Sequence, residues 1–338
     1  MTGTRPTAGH STVTQSWRRE ARAARPRVVL ADGEDKRAAE AARRLDAEGL
    51  AVAILLDEPA AFASPAVQAA ARASPYVERI DLGDPLHVAA LMVAAGEAEA
   101  CVAGATRPTP EVVRAALYCI GPAPGVEIIS SCFLLVLPGG TPITFGDCGV
   151  VPEPDAEQLA SIAISSAATH EALVGERARV AMLSYSTKGS AAGPRVERVR
   201  AATEIVRRRA PSLATDGELQ FDAAWAPEVA RRKAPGSAVA GEANVFVFPD
   251  LDSGNIAYKI TERLGGARAY GPLLQGTAGV MHDLSRGCDV DDIVAVAVIA
   301  ACQAARSTAL TSNDCDIPDS FHVMDPPGSG AEAGGRSQ

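Results

Sequence analysis

Short apolar runs alternate with longer stretches in which apolar residues recur every three or four positions, and this rhythm fills the chain from residue 27 to 305. Arg27-Val28-Val29-Leu30 predicts a buried strand, 34–48 a helix with its charges on one face, and 51–56 the next strand. A helix follows over 85–98, a strand over 100–105 that ends in a turn, and a helix over 109–120. In the last of these, Thr109 offers an N-cap and Pro110 the first helical position. Such alternation predicts a mostly parallel sheet covered by helices.

The middle of the chain departs from it. Two apolar runs, 128–137 and 142–145, are joined by Pro138-Gly139-Gly140, which predicts a hairpin. A long helix is expected over 155–173. Strand and helix then alternate again over 180–185, 194–209, 244–248, 256–264, 270–274 and 291–305. Residues 1–12 are rich in Thr, Ser and Gly, and from about 312 the chain turns to Asp, Pro, Gly and Ser. Both ends read as disordered tails.

Composition narrows the class. A chain of 338 residues, 47% of them hydrophobic, can bury one large core or two medium ones sharing a cleft. Aromatics are only 4%, so the core must be built from Ala, Val, Leu and Ile packed closely. A net charge of −9 argues against broad nucleic-acid binding but leaves room for a local arginine cluster around a small anion. No apolar stretch approaches the ~20 residues that span a bilayer, and the first 13 residues lack the apolar core of a signal peptide. Seven cysteines without a CxxC pair read as small buried hydrophobes of a reducing compartment. A cytoplasmic enzyme with small-molecule substrates is the expectation.

Four polar, glycine-bearing loops are candidates for the chemistry, since ligands of α/β sheets collect where strands lead into helix N-termini. The first, 184–191, carries Ser186, Thr187 and Lys188, which could cradle an anion or simply form a solvated turn. The second, 216–222, holds three carboxylates without an accompanying histidine, which favours a structural role over a metal. The third, 248–255, ends in Asn255 and leads into a helix carrying Lys259, a possible ligand rim. The fourth, 283–292, places Ser285 and Arg286 just before a helix N-terminus; Arg286 can grip a phosphate through two parallel hydrogen bonds. Asp292 falls at the third helical position behind Asp289, where acids commonly serve only as caps.

In order along the chain, Ser184-Tyr-Ser-Thr-Lys-Gly-Ser190, Asp216-Gly-Glu-Leu-Gln-Phe-Asp-Ala-Ala224, Lys233-Ala-Pro-Gly-Ser237, Asn244-Val-Phe-Val-Phe-Pro-Asp-Leu251, Ser253-Gly-Asn255, Tyr258-Lys259, Gly271-Pro272, Gln275-Gly276 and Asp283-Leu-Ser-Arg-Gly-Cys288 closely resemble the phosphate acetyltransferases. The opening Val29-Leu-Ala-Asp-Gly-Glu-Asp35 fits more loosely. The resemblance runs from about 27 to 306 and is densest from 180 to 305.

That resemblance implies two three-layer α/β domains with a cleft between them, an architecture like that of the isocitrate and isopropylmalate dehydrogenases. One domain would be discontinuous, 1–126 plus 275–338, and the other an insert, 127–274. It implies a homodimer with no tightly bound cofactor and no metal, in which acyl-coenzyme A and phosphate are substrates. It further implies direct transfer in a ternary complex: Asp292 deprotonates the thiol of coenzyme A, and the thiolate attacks the carbonyl of acetyl phosphate. Ser285 would hydrogen-bond the acyl phosphate, Arg286 would hold its phosphate, and Arg114 would be a second arginine of the cleft.

The sequence also departs from the family. A basic Leu-Arg-x-His-Lys-Gly segment common in the family is missing between Tyr76 and Asp84. Arg107 stands where histidine is usual, His282 ends a stretch that is usually Lys-Pro-Val-Asn, and Val151 replaces a common asparagine. Arg107 is read two ways, as a replacement for the missing charge or as a surface arginine in a turn. The departures suggest altered cleft walls and keep two alternatives open. One is acyl transfer from coenzyme A to a different acceptor; the other is a noncatalytic acyl-coenzyme A-binding module.

Overall fold

The computed structural model describes residues 12–312. Apart from Thr12 and Ser312, which end helices, the two expected tails and Cys315 lie outside the described residues.

The chain opens with α1 (Thr12–Ala24), which the apolar pattern did not reveal because only Trp17 and Ala21, one turn apart, are buried on it. Then follow β1 (Arg27–Leu30), α2 (Lys36–Ala47), β2 (Val52–Leu55), two short helices α3 (Pro59–Phe62) and α4 (Pro65–Ala73), α5 (Pro85–Ala94), β3 (Ala100–Ala103) and α6 (Thr109–Ala115). The expected helix over 109–120 is thus present, its last turn, Ala116–Ile120, widening to a π-helix. Thr109 is not its cap. Pro108 holds that place, and the Thr109 hydroxyl instead donates to Asp283 Oδ2 at 2.5 Å.

The expected hairpin comprises β4 (Ser130–Val136) and β5 (Pro142–Gly146), paired antiparallel. After it come α7 (Ala156–Val174), β6 (Arg179–Leu183), α8 (Pro194–Arg209), β7 (Ala214–Leu219), α9 (Phe221–Trp225), α10 (Pro227–Lys233), β8 (Val245–Val247), α11 (Leu251–Arg263), β9 (Arg268–Gln275), β10 (Val280–Asp283) and α12 (Val290–Ser312). α7 starts on a reciprocal capping box, Asp155 with Gln158, and stops at Gly175 in the left-handed region.

The strands form two sheets. The first, in the order β10-β3-β1-β2, is wholly parallel and draws β10 from far along the chain; the second runs β7-β6-β8-β5-β4-β9 and is mixed. Alternate residues of a strand point to opposite faces, and each sheet accordingly has a core on either side. Val28 and Leu30 pack with α12 residues such as Ile293 and Ala297, whereas Val29 packs with α5 residues such as Leu91. In the second sheet Val245 and Val247 face α7 and α8, while Phe246 and Phe248 face the opposite way. The first core continues into Leu134 and Leu273 of the second sheet, so apolar packing joins the two halves. All six described cysteines are buried and unpaired. Among the described residues no helix is long and apolar enough to cross a membrane.

Candidate active site

Two neighbouring strand ends supply the centre of the site. β3 and β10 pair in register, Ala103 beside Asp283, so the loops that follow them emerge together. The β3 loop carries Arg107; the β10 loop carries Ser285 and Arg286. Gly104 makes the approach possible, because a side-chain carbon there would lie 2.1 Å from Asp283 Oδ1 and the backbone φ is +104°. Asp283 is fully buried. Burial pushes its carboxyl up to about 7, with the nearby Asp32 adding to the rise against the Thr109 hydrogen bond. Asp32 itself caps the β3 loop, accepting from the amides of Ala105 and Thr106 at 3.1 and 3.0 Å.

The second half contributes the facing wall. Asp147, at the end of β5, is buried and accepts from the amides of Gly149 and Val151, which curls the chain so that Cys148 and Gly149 line the opening. Gly254 of α11 sits against this curl: a side-chain carbon would come within 2.2 Å of the Asp147 carbonyl. The close approach lets Asn255 donate to the Cys148 carbonyl at 3.0 Å, while its oxygen accepts from Lys259 Nζ at 2.7 Å. Asn255 therefore fixes the direction in which Lys259 extends.

Between the halves lies a cavity of about 630 Å³, lined by Arg107, Asn255, Lys259, Arg263, Ser285, Arg286 and Asp292 among others. Four cationic side chains, Arg107, Lys259, Arg263 and Arg286, face three carboxylates, Glu262, Asp289 and Asp292. Its floor includes Phe133 and Tyr258, whose rings stack at 3.9 Å between centroids. Asp289 and Asp292 cap each other across the first turn of α12: Asp292 N donates to Asp289 Oδ1 at 2.9 Å, and Asp289 N to Asp292 Oδ2 at 3.1 Å. The same Asp292 forms part of the cavity wall, so capping and a chemical role are both open to it.

Not every residue singled out from the sequence is here. Arg114 lies in an adjoining cavity of about 410 Å³ with Arg79, His87 and Tyr118, and Arg107 lines both spaces. Ser186, Thr187 and Lys188 line neither. Ser186 donates to Glu218 Oε1 at 2.8 Å, Thr187 Oγ1 accepts from Gln220 N at 2.9 Å, and Lys188 pairs with Asp216. The loop's anion is the protein's own: the stretch 216–222 begins not as a loop but as the end of β7, whose inward carboxylates are held by Lys188, Arg207 and Arg200.

His282 and Val151, two of the departures, do not line the cavity. His282 is buried in β10 against Gln303, 2.5 Å away, and burial lowers its pKa to about 4, while Val151 packs in the core beside α7. Arg107 does reach the cavity, held at 3.0 Å by both Asp84 and Glu111. Arg263 was missed by sequence reading, and Tyr258 was picked out only as part of the Tyr258-Lys259 motif. The spacing of Arg263 from Lys259, four residues on along one helix face, was the available signal.

Residues 12–81 and 66–301 match the model of the phosphate acetyl/butaryl transferase family. The chain belongs to that family. It is 45% identical over 299 residues to the phosphate acetyltransferase of Paracoccus denitrificans, covering 82% of this chain and 94% of the relative. The phosphate acetyltransferase of Acetivibrio thermocellus is 48% identical over 232 residues, 67% of this chain and 70% of that one. Among solved structures, a phosphotransacetylase from Streptococcus pyogenes superposes with a TM-score of 0.80 at 38% identity, covering 87% of this chain and 98% of that chain. The EutD phosphotransacetylase from Staphylococcus aureus gives 0.76 at 35% identity, with 86% and 99% covered. Membership of the transferase family agrees with a cavity in which cations surround a hydroxyl and a carboxylate.

Proposed function

We propose that the protein catalyses reversible transfer of an acetyl group between coenzyme A and inorganic phosphate. The observation that carries this reading is the cavity where Arg286, Lys259 and Arg107 converge beside Ser285 and Asp292. In the direction of acetyl-coenzyme A formation, Asp292 takes the thiol proton and the thiolate adds to the carbonyl carbon of acetyl phosphate. Collapse of the adduct breaks the bond to phosphate oxygen, and phosphate leaves with its charge held by Arg286 and Lys259. Ser285 donates a hydrogen bond to the acyl phosphate. Nucleophile and leaving group both belong to the substrates, so this sequence of steps calls for no tightly bound cofactor and no metal.

Arg114 and Arg107 are assigned to the polyanionic part of coenzyme A, because their two cavities adjoin at Arg107. The two sheets serve as cores of two domains, 1–126 with 275–338 and the insert 127–274. A homodimer in the cytoplasm completes the reading. Ile256 and Ile260 on α11 and Leu264 at its C-cap, spaced four apart, are 56%, 52% and 84% exposed, an apolar ridge suited to a second copy. Ile260→Asp should shift the sedimenting species from dimer to monomer; a monomeric unmodified protein would remove this part of the reading.

The test of function is phosphate- or arsenate-dependent loss of acetyl-coenzyme A, repeated with the propionyl and butyryl thioesters. Phosphate-dependent loss of at least one thioester is expected. No loss with phosphate or arsenate would overturn the assignment.

A further inference from the structure

The loop bearing Ser285 and Arg286 is held by a residue outside the cavity. Arg37, in the first turn of α2, directs its guanidinium between the loops that follow β3 and β10. Nη1 donates to the carbonyls of Arg286 and Cys288 at 3.0 and 2.8 Å. Nη2 donates to the Ala105 carbonyl at 2.9 Å and to Asp35 Oδ2 at 2.8 Å, and Nε donates to Asp35 Oδ1 at 3.0 Å. All five guanidinium hydrogens are thereby used. Asp35 is in turn fixed as the N-cap of α2, accepting from Arg37 N at 2.7 Å. The Ala105 peptide is pinned from both sides, its carbonyl by Arg37 and its amide by Asp32.

We propose that Arg37 is a positioning residue for the transfer reaction, setting the backbone from which Arg286 and Ser285 reach the reacting phosphate. Among the described residues the Arg286 side chain has no ion-pair partner, so no counter-charge holds the guanidinium in place and the backbone sets the point from which it reaches into the cavity. A planar fork alone can bridge three carbonyls and a carboxylate at once; a lysine in its place keeps the charge and loses the bridge. Misplacing a catalytic group by about 1 Å can cost about a hundredfold in rate. The proposal rests on the function given above.

The test is a double-mutant cycle on kcat/KM, with activity normalised to the folded fraction from circular dichroism. Arg37→Lys should lower kcat/KM about ten- to a hundredfold. In an Arg286→Lys background the same change should cost little, because the group it positions is already gone. With Lys259→Ala, on the opposite wall, the effects should multiply. A merely structural role predicts independent effects in both cycles, and that result, or unchanged kcat/KM for folded Arg37→Lys, overturns the proposal. If Arg37→Lys unfolds, Arg37→Gln enters the same cycle. If the unmodified protein shows no phosphate-dependent turnover, the reading of function has failed, and the cycle is run on inorganic phosphate affinity instead, with the same two outcomes.

Discussion

Replacing Asp292 by Asn separates its two possible duties. The structure gives the carboxylate a capping hydrogen bond from Asp289 N at 3.1 Å. An asparagine oxygen can accept that bond in the same place, so the cap survives, and what is lost is a negative charge at a helix N-terminus, about 0.3–1 kcal/mol. At about 2–4 °C per kcal/mol for chains of 150–250 residues, the melting temperature should fall by no more than a few degrees. Loss of a general base, in contrast, typically lowers turnover by ~10²–10⁴-fold. The assay is thioester formation from acetyl phosphate and coenzyme A at saturating concentrations of both, beside a thermal melt. Asp292→Ala adds loss of the cap bond, about 1 kcal/mol, and should be less stable than Asp292→Asn but similarly slow. Near-normal turnover in Asp292→Asn, with a lowered melting temperature in Asp292→Ala, would refute the base assignment and leave Asp292 as a cap.

Arg286→Lys keeps the charge but not the two-point grip, so KM for phosphate and acetyl phosphate should rise much more than that for coenzyme A; equal KM values in variant and parent count against the role. Arg107→Ala leaves Asp84 and Glu111 beside the cavity without their shared cation. Losing one charge-assisted contact costs about 1.5–3 kcal/mol, so KM for coenzyme A or phosphate should rise roughly ten- to a hundredfold with little change in melting; if neither binding nor turnover moves, Arg107 is a bystander. Glu218 tests the far edge of the second sheet. Burial raises its pKa, but Arg200, the Gly189 amide and Ser186 outweigh that and bring it down to about 2, well below the usual carboxylate range. A depressed folded pKa stabilises above the unfolded value, and the contribution disappears as pH falls from about 5 toward 2. Glu218→Gln should therefore be less stable than the parent at neutral pH, the gap closing in acid with catalysis intact; a gap independent of pH would show that the charge is not responsible.

The strands and helices whose own residues dictate their burial were legible from the chain. Val28-Val29-Leu30 is apolar on both faces because helices cover both, and α8 shows its buried face in Val196, Val199, Ala202 and Val206. The resemblance likewise picked out Ser285, Arg286, Asn255 and Lys259, which lie on one cavity. Other features depended on partners far away in sequence. β7 reads as polar because Asp216 and Glu218 point inward, and only the folded chain brings Lys188, Arg207 and Arg200 to neutralise them. The same pairing sets Lys188 against Asp216 outside both cavities, although its loop alone resembles an anion cradle. Thr109 looks like a cap until β10 sets Asp283 beside it. Arg37, one residue of a helix start in sequence, becomes a brace between the loops after β3 and β10 only when the parallel sheet aligns them. Local pattern fixes which segments are helix or strand, because periodicity is a property of neighbours. Which polar groups remain available to a substrate is decided by tertiary contacts, because a charge is committed only when its counter-charge arrives.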